Sequence, residues 1–145
     1  MGSYLYKEQG GNIMRLSYET ETPRTPVHER IMAKLRVQAS WFDKTTGESV
    51  QVEGTTENVG ENSALVNFEM LPPVGSEVSL RILDEETTLI EAPAEVIRVE
   101  RDPRKPLAAL SVLKNLTKWN EVVMFAAKNW VAEQWKLNYE EEYAN

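Results

Sequence analysis

Cysteine is absent from this chain, and histidine occurs once, at His28. The first absence removes disulfides, thiolate metal sites and cysteine nucleophiles together. The second leaves a Ser-His-Asp relay with one candidate histidine, set in a polar stretch, and no Gly-x-Ser-x-Gly motif supplies a nucleophile for it. No glycine-rich loop opens a helix, so nothing is offered to the phosphates of a nucleoside triphosphate. No apolar run approaches the length of a membrane span, and the N-terminus lacks the apolar core of a secretory signal; the expectation is a cytoplasmic protein without a membrane partner. Basic residues are outnumbered, 16 against 23 acidic, and the resulting formal charge of -7 repels a nucleic-acid polymer. Carboxylates cluster only at residues 84 to 86 and 140 to 142, in a turn and at a terminus, where solvated faces are expected rather than metal or acid-base pairs. Together these absences predict a non-enzyme, with no catalytic residue and no metal.

What is present fits one core in 145 residues, 41% of them hydrophobic. Residues 1 to 28 are polar, broken by Gly10-Gly11, Pro23 and Pro26, and carry no period of two or of 3.6; they read as an arm. From Lys34 to Phe42 the chain alternates, with Leu35, Val37, Ala39 and Trp41 on one face, which is the pattern of a half-buried strand. Val50 and Val52 resume it after a turn at Gly47, and "SALVNFEM", "SEVSLRIL", "AEVIRVE" and "LAALSVL" follow at regular spacing. Six or seven short strands so spaced predict an antiparallel barrel or sandwich over residues 34 to 113. From Trp119 apolar residues recur at Val122, Val123, Ala126, Ala127, Trp130 and Val131, a stripe that predicts a helix over 119 to 137 with Thr117 as N-cap and Glu121 in the first turn. The domain therefore spans 29 to 138, and 139 to 145 form an acidic tail.

With enzyme signals missing, "TTENVGENSALVNF" becomes the main functional clue, because a polar turn at Asn58, Gly60, Glu61, Asn62 and Ser63 separates two strand-like runs. Arg30 followed by "IMAKLRVQASW", this stretch extended through "EMLPPVGSEVSLRI", and then "APAEVIRVERDPRKPLAALSVL" resemble a PilZ domain over residues 28 to 113. The resemblance implies a mainly β fold, a six-stranded antiparallel barrel with a C-terminal α-helix, in a bacterial signalling protein. It also implies cyclic di-GMP as the ligand. The family's signature is Arg-x-x-x-Arg before the first strand and Asp/Asn-x-Ser-x-x-Gly ahead of the third. Here Asn58 matches, Gly60 stands in place of serine and Ser63 in place of glycine. Two alignments of the arginine element stand open. Either Arg30 is its second arginine, with Pro26 in the first place and Arg24 displaced by two, or Arg30 is its first, with Lys34 as the second.

The resemblance thus implies Arg24, Arg30, Lys34, Asn58, Gly60 and Ser63 as the ligand set. Arginine's planar fork binds phosphate bidentately and stacks on a base, neither of which lysine reproduces. Glycine at 60 forfeits a hydroxyl, about 1 kcal/mol. A left-handed Ser63 would cost about 1 to 2 kcal/mol. Summed, such losses carry a micromolar site towards millimolar. Two functions stay open: a cyclic di-GMP receptor with a weakened site, and an adaptor that has lost the nucleotide and binds a protein, or a second copy, through the helix or a barrel edge. Trp135 falls off the stripe of Trp119 and Trp130 and is the candidate interface residue. "RVERDPRK", with Arg98, Arg101, Arg104 and Lys105, reads as a solvated loop.

Overall fold

A computed structural model describes residues 29 to 143. The arm assigned to residues 1 to 28, and with it Arg24, Pro26 and His28, lies outside the described residues. The strands are β1 (Arg30–Ile31), β2 (Arg36–Asp43), β3 (Glu48–Gly60), β4 (Ser63–Phe68), β5 (Glu77–Asp84), β6 (Thr87–Glu100) and β7 (Leu107–Val112), followed by helix α1 (Leu116–Tyr143). All pairings are antiparallel. The sheet runs β3-β2-β5-β6-β7-β4, and a further β3–β4 pairing closes these six strands into a barrel. The two-residue β1 adds to the free end of β3, with Arg30 opposite Gly60 and Ile31 opposite Val59. Closure removes the open edges that an antiparallel sheet would otherwise present.

Alternation fixes the inside. Val37, Ala39 and Trp41 of β2, Val78, Leu80 and Ile82 of β5, and Ala108, Leu110 and Val112 of β7 are buried, with Arg36, Gln38 and Ser79 among the residues between them on the outside. The register slips at three places, one of them in the β5–β6 pairing between Ile82 and Leu83. β-Bulges fall between Thr56 and Asn58 in β3 and between Val96 and Arg98 in β6. Each extra residue puts two successive side chains outward, Glu57 with Asn58 and Ile97 with Arg98, where a strict period of two would bury Asn58 and Arg98. Gly54 is required by packing: a Cβ there would strike the Asn67 carbonyl oxygen and lie 2.8 Å from the Phe68 ring.

Helix α1 covers one end of the barrel. Trp119, Val123, Met124 and Ala127 are buried in the same core, and Trp130 is half-buried against it. The helix is longer at both ends than the expected 119 to 137, running from Leu116 to Tyr143. Its start also corrects the expected cap. Asn115, in the left-handed region at φ 62, accepts the Trp119 N–H at 2.8 Å through its backbone carbonyl, so Thr117 is already helical and Glu121 is past the first turn. Beyond Val131 the helix leaves the barrel, and Trp135, Leu137 and Tyr139 are exposed. It is not apolar enough to cross a membrane.

Candidate functional site

The stretch "TTENVGENSALVNF" is a tight hairpin. Only Glu61 and Asn62 form its turn; Asn58 and Gly60 belong to β3 and Ser63 opens β4 directly opposite Gly60. The broad polar turn expected over 58 to 63 is therefore strand on both sides, because the ladder continues to its last possible pair. Ser63 is not in the left-handed region, so the strain expected of it does not arise.

Arg30 is delivered to this hairpin by the segment leading into β2. Thr56, the one buried polar residue of the described core, donates its hydroxyl to the Ala33 carbonyl at 2.6 Å and accepts the Leu35 N–H at 2.8 Å. Its own backbone N–H donates to the Leu35 carbonyl at 2.9 Å. Three bonds in a buried place, where an unmade bond costs about 1 to 3 kcal/mol, hold residues 33 to 35 against β3 and so fix where β1 can lie. The Arg30 guanidinium then donates from Nε to Asn58 Oδ1 at 2.9 Å, from Nη2 to the same oxygen at 2.5 Å, and from Nη1 to Ser63 Oγ at 2.7 Å. Gly60 makes room for this. A Cβ at Gly60 would sit 3.0 Å from both Arg30 Nη1 and Ser63 Oγ. The serine and glycine that exchange places in sequence are thus cross-strand partners, and between them still offer one hydroxyl and one gap beside the guanidinium.

These three side chains stand at one end of a cleft of about 320 Å³. Its floor follows one row of the ladder, Asn58–Leu65–Ala109–Arg98, with Ser63 and Ser111 paired in the neighbouring row. Three strand spacings separate the ends of that row, about 14 Å. Arg98 closes the far end and is held by Glu100, with Nη1 to Oε2 at 2.6 Å. The cleft therefore has a guanidinium at each end, small or aliphatic side chains along its floor and hydroxyls on one flank, which suits a flat ligand carrying anionic oxygens.

Lys34 does not enter it. Its Nζ lies 3.6 Å from Glu57 Oε2, while Lys105 Nζ lies 2.8 Å from Glu57 Oε1. Glu57, the bulge residue, is only 15% exposed, and the hydrogen bond from Lys105, aided by the charge of Lys34, holds its carboxyl below the ordinary glutamate range against the opposing effect of burial. Of the residues predicted for a ligand, Arg30, Asn58, Gly60 and Ser63 come together, Lys34 is diverted to Glu57, and Arg24 lies outside the described residues. The reading of "RVERDPRK" as wholly a solvated loop needs correcting: Arg98 is on β6 and lines the cleft, and Lys105 reaches back to Glu57. Trp135 is 74% exposed, as its position off the stripe implied. Among the described residues no three His, Cys, Asp or Glu side chains are grouped to hold a metal ion.

By sequence neither a protein-family model nor a curated protein matches the chain. By structure, the PilZ domain of YcgR from Escherichia coli with c-di-GMP superposes with a TM-score of 0.57 at 10% identity, over 78% of this chain and 98% of that one. This is a PilZ-like fold. The Bacillus subtilis inhibitor of motility MotI/DgrA superposes with a TM-score of 0.52 at 19% identity over 79% of this chain. YcgR from Escherichia coli in complex with c-di-GMP gives 0.55 at 10% identity over 75%. The aligned part spans 53% of the MotI/DgrA chain and 48% of that YcgR chain, about half of each. The PilZ-like barrel carries one strand beyond the expected six, β1, and it is this strand that holds Arg30.

Proposed function

We propose that this chain is a signalling module that binds cyclic di-GMP weakly in the cleft between Arg30 and Arg98, and that it transmits the ligand's presence to another protein rather than catalysing a reaction. The observation that supports it most is the convergence of Arg30, Asn58 and Ser63 at the end of a two-guanidinium cleft, on a fold shared with a PilZ domain described with c-di-GMP. In this reading Arg30 turns its fork to a phosphate and keeps its plane for a guanine, and Asn58, released from Arg30, reads a base edge. Ser63 supplies the hydroxyl, and Arg98 takes the anionic oxygens at the far end. Affinity is modest because the second arginine of the signature has no counterpart among the described residues near Arg30, and because Arg30 must give up bonds it already makes. One charge-assisted hydrogen bond is worth about 1.5 to 3 kcal/mol, roughly ten- to hundredfold in affinity, which moves a micromolar site to tens or hundreds of micromolar.

Calorimetric titration with cyclic di-GMP tests this. The chain should bind with a dissociation constant between about 10 µM and 1 mM, Arg30→Ala should abolish measurable binding, and Arg98→Gln should weaken it about tenfold. Undetectable binding by the unaltered protein at millimolar ligand would leave the adaptor that works without nucleotide as the surviving function.

A further inference from the structure

A second and larger cleft, about 460 Å³, lies between α1 and the β5–β6 hairpin. It shares no lining residue with the cleft between Arg30 and Arg98. Leu83 and Leu89 form its hairpin wall, and Val122, Phe125 and Trp130 its helix wall. Phe125 is 65% exposed and Trp130 only half-buried, so two aromatic rings border the groove with much of their surface still in water. The polar side chains at the rim are Asn129 and three acids, Asp84, Glu121 and Glu133; among the described residues no lysine or arginine lines it. Arg36, which pairs with Leu83 across β2 and β5, donates to the Glu85 carbonyl of the hairpin turn at 3.1 Å and lies 3.8 Å from the Glu53 carboxylate, which partly meets its charge.

We propose that this groove docks an apolar segment of another protein flanked by lysine or arginine. The apolar walls supply the area that drives association, and the carboxylate rim selects the sign of the charge that accompanies it. That rim also argues against the other occupants. A second copy brings a formal charge of -7 towards the same acids. Residues 1 to 28 of this chain carry Lys7, Arg15 and Arg24 against Glu8, Glu19 and Glu21, and so offer no net complement. The surface is distinct from Trp135, which lies about 140° round the helix from Trp130 at 100° per residue. The proposal rests on the helix and hairpin alone, and stands whether or not cyclic di-GMP binds.

Fluorescence anisotropy of two synthetic amphipathic peptides, one of leucine with lysine and one of leucine with glutamate, tests it on the full chain. The lysine peptide should bind saturably and at least tenfold more tightly than the glutamate peptide. Phe125→Ser should weaken it at least tenfold, and so should Glu121→Lys with Glu133→Lys. The remote pair Glu48→Lys with Glu77→Lys, which makes the same change in net charge, should alter it less than threefold. All these sites are exposed, and circular dichroism verifies that each variant is folded. Absence of binding, equal binding of both peptides, or equal loss in the remote pair would overturn the proposal. So would self-association abolished by Phe125→Ser, which assigns the groove to a second copy. Binding of a synthetic peptide of residues 1 to 28 in trans, lost in Phe125→Ser, would assign it to the chain's own segment.

Discussion

Replacing the helix tryptophans one at a time should give three different stabilities, because each is held differently. Trp119 is fully buried, and its indole N–H donates to the Gly60 carbonyl at 2.9 Å, tying the helix to the strand end that carries the Arg30 site. Trp119→Ala leaves a cavity and removes this hydrogen bond, and buried aromatic-to-alanine changes cost about 3 to 5 kcal/mol. Against a total of about 5 to 15 kcal/mol that is a large share. In urea, at a slope of about 1.5 kcal/mol/M, the midpoint should fall by roughly 2 to 3 M. Trp130 is half-buried and should cost half as much by area, about 1.5 to 2.5 kcal/mol. Trp135, at 74% exposure, should stay within about 0.5 kcal/mol of the unaltered protein. Urea denaturation followed by far-ultraviolet circular dichroism reads all three. Equal losses from Trp119→Ala and Trp135→Ala would refute the packing described above. A Trp119→Ala midpoint within 0.5 M of the unaltered one would refute its anchoring role.

Exchanging Gly60→Ser with Ser63→Gly should leave cyclic di-GMP affinity within about threefold, under 1 kcal/mol, since the two positions face each other and the hydroxyl merely changes strand; a tenfold gain in calorimetry would mean that sequence order matters more than this pairing. Gly54→Ala should lower the urea midpoint by an amount equivalent to about 1 to 3 kcal/mol, the usual cost of overpacking, because the Asn67 carbonyl is backbone and has little freedom to withdraw; an unchanged midpoint would refute the close approach. The Glu57 carboxyl is held below its ordinary range by Lys105 and Lys34, so its contribution is fully present above the unfolded glutamate value near 4.5 and is lost as pH falls through the lower folded value. Glu57→Gln should therefore flatten the loss of stability between neutral pH and pH 3 in urea titrations, and an unaltered slope would show that the two lysines do not stabilise it.

The strands and their inward faces were legible in sequence, because a closed barrel with one buried side obeys a period of two, as in Val37-Ala39-Trp41 and Val78-Leu80-Ile82. The helix was legible from its stripe, but its boundaries were not: Asn115 caps through its backbone rather than through a recognisable side-chain motif. Within the candidate site, Asn58 and Arg30 were visible through the resemblance. Arg98 was not, although the signal was present. Counting by twos from Ile90 through Val96 places Arg98 inside the barrel, and an arginine on an inward position marks a bulge that turns it out; Asn58, counted from Val52, carries the same mark. In sequence Ser63 reads as a loss because linear spacing conceals that residues 60 and 63 are opposite one another. In sequence Lys34 reads as a substitute arginine because nothing in its own segment reveals that Glu57, on β3, competes for it.

The central claim is that the cleft between Arg30 and Arg98 takes cyclic di-GMP, and amide and side-chain NMR shifts of the labelled chain during titration test it most directly. The account predicts saturable shifts at Arg30, Asn58, Ser63, Ser111 and the Arg98 guanidinium, converging on one dissociation constant, with the Phe125 and Trp130 groove unchanged. Saturable shifts confined to the groove, or none anywhere at millimolar ligand, would contradict it.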